Sequence, residues 1–270
     1  MNENLVLFIC DNDSKKGEVM IFFNVKNVKT KGNFLNVEKP IVINEKDKIG
    51  IIGTNGAGKS SFVRVLMQDL IAKIEMEKNI SNDEIGIQMQ ENFLYPNLKV
   101  KEYFELIFLK KLINSKDTED IYALKDKKID KLSGGEKQMF ILFIVTHLDK
   151  KMYIFDELTT GLDYNNREKM IKKLQEKNFP TFCLVSHYFE EIDLLCNKLL
   201  ILEKGNVIEF DYIQNILEKY KLHNNFIYKD KLYYTDKDIE SLPKEINLFK
   251  KSTTKNIYEY LVFEKGVIYE

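Results

Sequence analysis

The octet Gly53-Thr54-Asn55-Gly56-Ala57-Gly58-Lys59-Ser60 constrains this chain more than any other stretch. It fits the pattern G-x-x-x-x-G-K-[ST] at every fixed position. Residues 49–52, apolar apart from Gly50, lead into it, and Ser61-Phe62-Val63-Arg64-Val65-Leu66-Met67 leads out with helix-compatible residues. That order of strand, loop and helix is the context in which such a loop works. Glycines allow backbone angles that side chains forbid, so successive N–H groups can converge on phosphate oxygens. The N-terminus of the following helix adds partial positive charge at the same point. Gly53 through Ser61 therefore form a candidate phosphate-binding set. In it Lys59 would reach the β- and γ-phosphates of a nucleotide, and the Ser60 hydroxyl would ligate Mg²⁺. The octet alone implies nucleotide binding and leaves the use of the nucleotide open.

The 270 residues have room for one large α/β domain and a small appendage. Lys and Arg number 41 against 42 Asp and Glu, a net charge of -1, so no global basic field draws the chain to nucleic acid or membrane. Cys10, Cys183 and Cys196 show no C-x-x-C spacing and read as reduced thiols, buried like small apolar residues. No run approaches the roughly 18 apolar residues of a membrane-spanning helix. The longest, residues 139–145, suits a core helix, and the start of the chain carries an acid but no base, unlike a secretory signal. The expectation is a cytoplasmic protein whose membrane work, if any, belongs to another chain.

Along the chain, residues 5–10, 19–23 and 41–43 read as short strands separated by polar turns. A helix is expected over 59–72 and a strand over 84–88. Helical character over 100–113, over 118–124 and after Gly135 suggests a helical insertion. Residues 152–155 are apolar on both faces, as in a buried parallel strand. An amphipathic helix over 164–177, a strand over 181–186 and a helix over 190–196 follow. Strands over 199–202 and 206–210 join through Glu203-Lys204-Gly205, and a helix over 211–220 closes this part. Strands alternating with helices imply a mainly parallel sheet. Beyond Leu222 the pattern changes to a hairpin around Lys229-Asp230-Lys231 and a final helix over 256–263.

Four further stretches carry chemistry. In Leu132-Ser133-Gly134-Gly135-Glu136, a serine and two glycines at a helix start offer a hydroxyl, free N–H groups and a positive dipole end, a second anion site. Ser133 and Glu136 also suit an ordinary capping box. Asp156 and Glu157 follow an apolar strand, where they could bind a metal and activate water or merely cap the next helix. His187 follows another strand, where turn or capping roles are common. Gln90, in Ile85-Gly86-Ile87-Gln88-Met89-Gln90-Glu91, lies beyond a strand, with Gln88 a rival two positions earlier.

Taken in this order, from about residue 41 to 210, the motifs resemble those of ATP-binding cassette (ABC) ATPases. The stretch 132–136 is similar to the LSGGQ signature, with Glu for the last Gln. Residues 152–157 resemble the Walker B strand, Thr160-Gly161-Leu162-Asp163 the D-loop, Gln90 the Q-loop glutamine and His187 the switch histidine. The resemblance implies an α/β P-loop NTPase with a mainly parallel sheet, an N-terminal antiparallel β subdomain, a helical insertion and a small C-terminal appendage. It further implies an ATPase domain over 1–220, with a helical subdomain at about 92–148, and the appendage over 221–270.

The resemblance assigns ATP and Mg²⁺ as cofactors. Ser60, Gln90 and Asp156 would hold the metal, Glu157 would polarise the attacking water, and His187 and Gln90 would complete the catalytic set. Phe34 is the candidate for stacking on adenine. Ser133, Gly134, Gly135, Glu136 and Asp163 would serve the nucleotide of a second ABC ATPase subunit, the same chain or a related one. Leu158 stands where the family usually has Pro, and Asp47 where Gly is usual before the phosphate-loop strand. The 92–100 stretch resembles the segment with which exporter-type cassettes seat a permease, and an apolar loop of this kind could equally pack in the core. The expected activity is ATP hydrolysis driving a separate integral membrane permease from its cytoplasmic face, as an exporter of a drug, peptide or lipid-like compound. The alternative is a non-transport ABC ATPase acting on ribosome or DNA. The absence of coiled-coil heptads, the single cassette and the balanced charge oppose it, and no nucleic-acid partner is expected.

Overall fold

The computed structural model describes residues 20–30, 35–70, 72–89, 94–107, 119–177 and 179–269. The expected strand at 5–10, Cys10, Phe34 and Gln90 lie outside these residues. In chain order the first part forms β1 (Ile21–Thr30), β2 (Asn36–Val37), β3 (Ile41–Asn44), β4 (Lys48–Ile52), α1 (Lys59–Leu66), β5 (Ala72–Lys78) and β6 (Ile85–Gln88). Helices α2 (Val100–Ile107), α3 (Glu119–Tyr122) and α4 (Gly134–His147) follow. Then come β7 (Met152–Asp156), α5 (Tyr164–Glu176), β8 (Phe182–Val185), α6 (Phe189–Leu195), β9 (Lys198–Glu203), β10 (Asn206–Tyr212) and α7 (Ile213–Lys219). The last part holds β11 (Asn224–Tyr228), β12 (Lys231–Thr235), β13 (Asn247–Lys251), α8 (Thr254–Phe263) and β14 (Val267–Ile268).

Strands β9, β4, β8, β7 and β6 lie side by side and parallel. Antiparallel β10 and the group β3, β1, β2 and β5 extend this sheet. Its central strands are buried on both faces, and alternate residues feed two cores. Ile49 and Ile51, Met152 and Ile154, and Cys183 and Val185 pack toward α1 and the antiparallel strands. Tyr153, Phe155, Phe182, Leu184, Leu199 and Ile201 pack toward α4, α5 and α6. The phosphate loop, the acids after β7 and the histidine after β8 therefore sit at the carboxyl ends of neighbouring parallel strands, where α/β folds place their ligands.

Two hairpins match the expected turns. Lys204 and Gly205 have φ of 48° and 80°, and Lys229 and Asp230 have 48° and 59°, as two-residue turns with the right-handed strand twist require. Two expectations fail. The helix over 59–72 ends at Leu66, Gln68 turns the chain with φ of 57°, and residues from Ala72 run as β5 against β1. Ile74 and Met76 alternate there with charged residues, the period of a strand. The helix over 211–220 starts only at Ile213, because Asp211 and Tyr212 stay paired with Leu199 and Lys198.

The second sheet, in the order β13, β11, β12, β14, rests on the rest of the protein through α8. Tyr234, Ile257 and Tyr258 join the same apolar cluster as Ile192 and Leu199. Asp47, where a glycine is usual in ABC ATPases, is buried and paired with Lys198 at 2.8 Å.

Candidate functional site

The phosphate loop links β4 to α1 in a shape that only its glycines permit. A Cβ at Gly53 would lie 2.2 Å from the Leu202 carbonyl oxygen and 2.8 Å from the Ala57 Cβ. Gly56 and Gly58 have φ of 78° and 103°, and a Cβ at Gly56 would project into open space. Gly58 caps α1 without any side-chain hydrogen bond, so the first N–H groups of that helix are left uncapped by a side chain. Lys59 is 7% exposed, and its Nζ donates to the carbonyls of Gly53 at 2.9 Å and Thr54 at 3.1 Å. Burial lowers its pKa, against the opposing pull of Glu157, Asp156 and Glu203.

Asp156 closes β7 at 4% exposure. Burial raises its pKa, the neighbouring Glu157 carboxylate adds to the rise, and the Ser60 hydroxyl and the Lys59 ammonium oppose it. One carboxylate facing one hydroxyl beside the Gly53–Ser60 loop is a donor set suited to Mg²⁺, which keeps water and phosphate oxygens as its other ligands. Accordingly, no cluster of three or more His, Cys, Asp or Glu that could hold a metal occurs among the described residues. Glu157 takes a left-handed backbone, φ 54°, rarely used by side-chain-bearing residues. Its N–H donates to the Val185 carbonyl at 3.0 Å, and its Oε1 meets His187 Nε2 at 2.9 Å. Lys59, Ser60, Asp156, Glu157 and His187, named from sequence, thus share one site.

Sequence reasoning missed Glu191, which is 1% exposed. It accepts from Ser186 Oγ at 2.7 Å, from Arg167 Nε at 2.8 Å and from the Thr159 hydroxyl. One carboxylate therefore fastens the turn after β7, the residue before His187 and helix α5. Its only sequence signal is an acid in the first turn of a short helix, which usually faces solvent.

Ser133 to Glu136 form the capping box. Ser133 Oγ accepts from the Glu136 N–H at 3.2 Å, and Glu136 Oε2 accepts from the Ser133 N–H at 2.9 Å. Lys127 pairs with the other Glu136 oxygen at 2.8 Å, and these bonds hold the Glu136 carboxyl below its ordinary pKa. A Cβ at Gly135 would meet Asn166 Nδ2 at 3.0 Å, whereas Gly134 faces open space. Asp163 caps α5, with its Oδ1 accepting from the Asn166 N–H at 3.0 Å. A depression lined by Gly134, Lys137, Gln138, Thr160 and Gly161 lies beside these helix starts. Among the described residues, no hydrogen bond joins Ser133–Glu136 to the phosphate loop.

Gln88 is fully buried, and its Nε2 donates to Gln138 Oε1 at 2.9 Å, tying β6 to α4. Within the 92–100 stretch, Tyr95 is 72% exposed while Leu94 and Leu98 pack against the core. His147 contacts the Phe143 carbonyl, and His223 pairs with Asp236.

A family model described as ABC transporter matches residues 40–160. An ABC transporter ATP-binding protein, YmeB of Lactococcus lactis subsp. lactis, is 26% identical over 246 residues, 79% of this chain and 94% of that one. YhaQ of Bacillus subtilis, also an ABC transporter ATP-binding protein, is 30% identical over 227 residues, 75% of this chain and 74% of that one. By contrast, the chain spans 17% and 15% of ABC transporter C family members 14 and 6 of Dictyostelium discoideum. Among solved structures, an ATP-binding subunit of an ABC transporter superposes with a TM-score of 0.61 at 19% identity, over 74% of this chain and 93% of that one.

Proposed function

The chain belongs to the ATP-binding proteins of ABC transporters and is an ATPase, and from that premise we propose a motor that works as a head-to-tail pair around two ATP molecules. The observation that carries the proposal is a division within the fold. Lys59, Ser60, Asp156, Glu157 and His187 meet at one strand edge, while Ser133–Glu136 and Asp163 form a separate pair of helix starts. Each protomer's phosphate loop would face the partner's 133–136 segment, so hydrolysis would require closure. ATP binding then shifts the population toward the closed pair, because its γ-phosphate contacts both halves only there.

In this reading Lys59 exchanges its two carbonyl partners for phosphate oxygens. Ser60 and Asp156 hold Mg²⁺, with Gln90 joining them on closure. The metal, when bound, neutralises charge developing on the phosphoryl oxygens. Glu157 accepts the proton of the attacking water, and His187 fixes the carboxylate and reaches the γ-phosphate. Phe34 would stack on the adenine. The helical subdomain at about 92–148, within an ATPase domain of 1–220, would pass movement to an integral membrane permease. The exposed Tyr95 and Leu106 supply an apolar surface for it. No helix among the described residues is long and apolar enough to cross a membrane, so the proposed place is the cytoplasmic side of such a permease. The cargo class that fits this reading is a drug, peptide or lipid-like compound moved outward, with residues 221–270 a C-terminal appendage.

Glu157→Gln tests the core of the proposal. It should cut ATP turnover by about 10²–10⁴-fold while ATP still binds, and size-exclusion chromatography with ATP should show a dimer. A variant that binds ATP yet stays monomeric overturns the paired mechanism.

A further inference from the structure

The C-terminal helix touches the nucleotide site from two sides. From one side, Tyr258 of α8, 6% exposed, points its hydroxyl at Glu203 Oε2, 3.5 Å away, at the end of β9. The same carboxylate oxygen accepts from Thr54 Oγ1 at 2.9 Å. The Thr54 carbonyl in turn accepts from Lys59 Nζ at 3.1 Å. Two polar groups of Thr54 are therefore committed, its hydroxyl to the Glu203 carboxylate that Tyr258 faces and its carbonyl to Lys59. From the other side, the first turn of α8 docks on α6, just beyond His187. The buried Thr254 donates its N–H to Asp193 Oδ1 at 2.9 Å and its hydroxyl to the Phe189 carbonyl at 3.3 Å. The Tyr258 ring lies 5.5 Å from that of Phe189, completing the bridge.

We infer that α8 is a strut that sets the phosphate loop against the His187 turn, with Tyr258 as the positioning residue that, through the Glu203 carboxylate, orients Thr54 and with it Lys59. A helix held only for packing needs the aromatic ring of Tyr258 against Phe189 and Phe263 and has no use for the hydroxyl. A strut acting on the loop needs the hydroxyl, because an ordered loop presents its N–H groups, and the Lys59 ammonium held on the Thr54 carbonyl, to an anion without first losing conformational entropy. The inference rests on Lys59 serving the phosphates.

The test uses the purified full chain with Tyr258→Phe, which keeps the ring, and measures KM, kcat, ATP affinity and Tm. The expected outcome is a rise in KM and in the Kd for ATP of about threefold to tenfold, the size of one hydrogen bond. The kcat should stay within about twofold, as for loss of uniform binding, and Tm within about 2 °C. Tyr260→Phe, on the same helix against Tyr220 and Tyr234, should change none of these. In a Glu203→Gln background the effect of Tyr258→Phe should shrink toward zero, because one network carries both. An unchanged KM, or an effect carried in full into that background, overturns the strut. Should Tyr258→Phe fail to fold, Glu203→Gln alone decides: its KM must move by about threefold or more, and an unchanged value refutes the inference. Lys59→Ala separates the two readings. If it keeps ATP binding, the phosphate-site assignment has failed; if it loses ATP while Tyr258→Phe is silent, only the strut has.

Discussion

Asp156 shows how a single side chain trades stability for chemistry. Its folded pKa lies above the unfolded value because burial and the Glu157 charge disfavour the carboxylate. The penalty is absent below the ordinary value of 3.8, grows as pH rises through it, and is complete above the folded pKa. Asp156→Asn should therefore raise the denaturation midpoint of the nucleotide-free protein at neutral pH, with the gain fading as pH falls toward 3.8. It should also abolish Mg²⁺-dependent turnover, since a neutral amide holds Mg²⁺ poorly. Urea titrations from pH 8 downward check the sign, and a variant that is less stable at neutral pH refutes it. The letters of Lys59, Ser60 and Asp156 were enough to find this site, because phosphate and metal chemistry admits few residue types at fixed spacing. Glu191 was not legible. A buried acid accepting three hydrogen bonds looks, in one dimension, like any exposed acid of an amphipathic helix.

At the level of elements, β4 and α6 approach so closely that Gly50 has no room for a side chain. A Cβ there would lie 2.4 Å from Ile192 Cγ2 and 2.9 Å from its Cδ1. Gly50→Ala should cost about 1–3 kcal/mol by overpacking, read as a lower denaturation midpoint. Ile192→Ala removes both offending methyl groups, so adding it to Gly50→Ala should cost less than adding it to the native protein. Additive losses would show that the clash relaxes elsewhere. The parallel strands were readable because their runs are apolar and their ends carry the motifs. Strand β5 was not read, since the helix before it invited continuation, although Ile74 and Met76 alternate with Lys73, Glu75 and Glu77. Strand β13 escaped for a different reason: its residues are largely exposed, so the pairing with β11 leaves no hydrophobic pattern.

For the whole molecule, the proposed head-to-tail geometry makes a prediction that a self-sufficient active site would not. The order of motifs in the sequence already implied that the phosphate loop and the Ser133 segment are separate parts. Only the structure shows the hydrogen bonds of Ser133 and Glu136 used locally, in a capping box and a pair with Lys127. In a two-fold pair, each composite site draws Lys59 from one copy and Ser133 from the other. Lys59→Ala and Ser133→Arg should each be inactive alone, since every site in either pair lacks one half. Mixed in equal amounts, about half the pairs combine the two variants, and one of their two sites is intact, so roughly a quarter of the native turnover should return if the sites fire independently. Serial dilution should lower turnover per molecule in the native protein and in the mixture, because both depend on pairing. A mixture as inactive as its components, measured where each variant alone shows the native melting curve, removes the shared-site motor. A single variant that retains full turnover removes it as well.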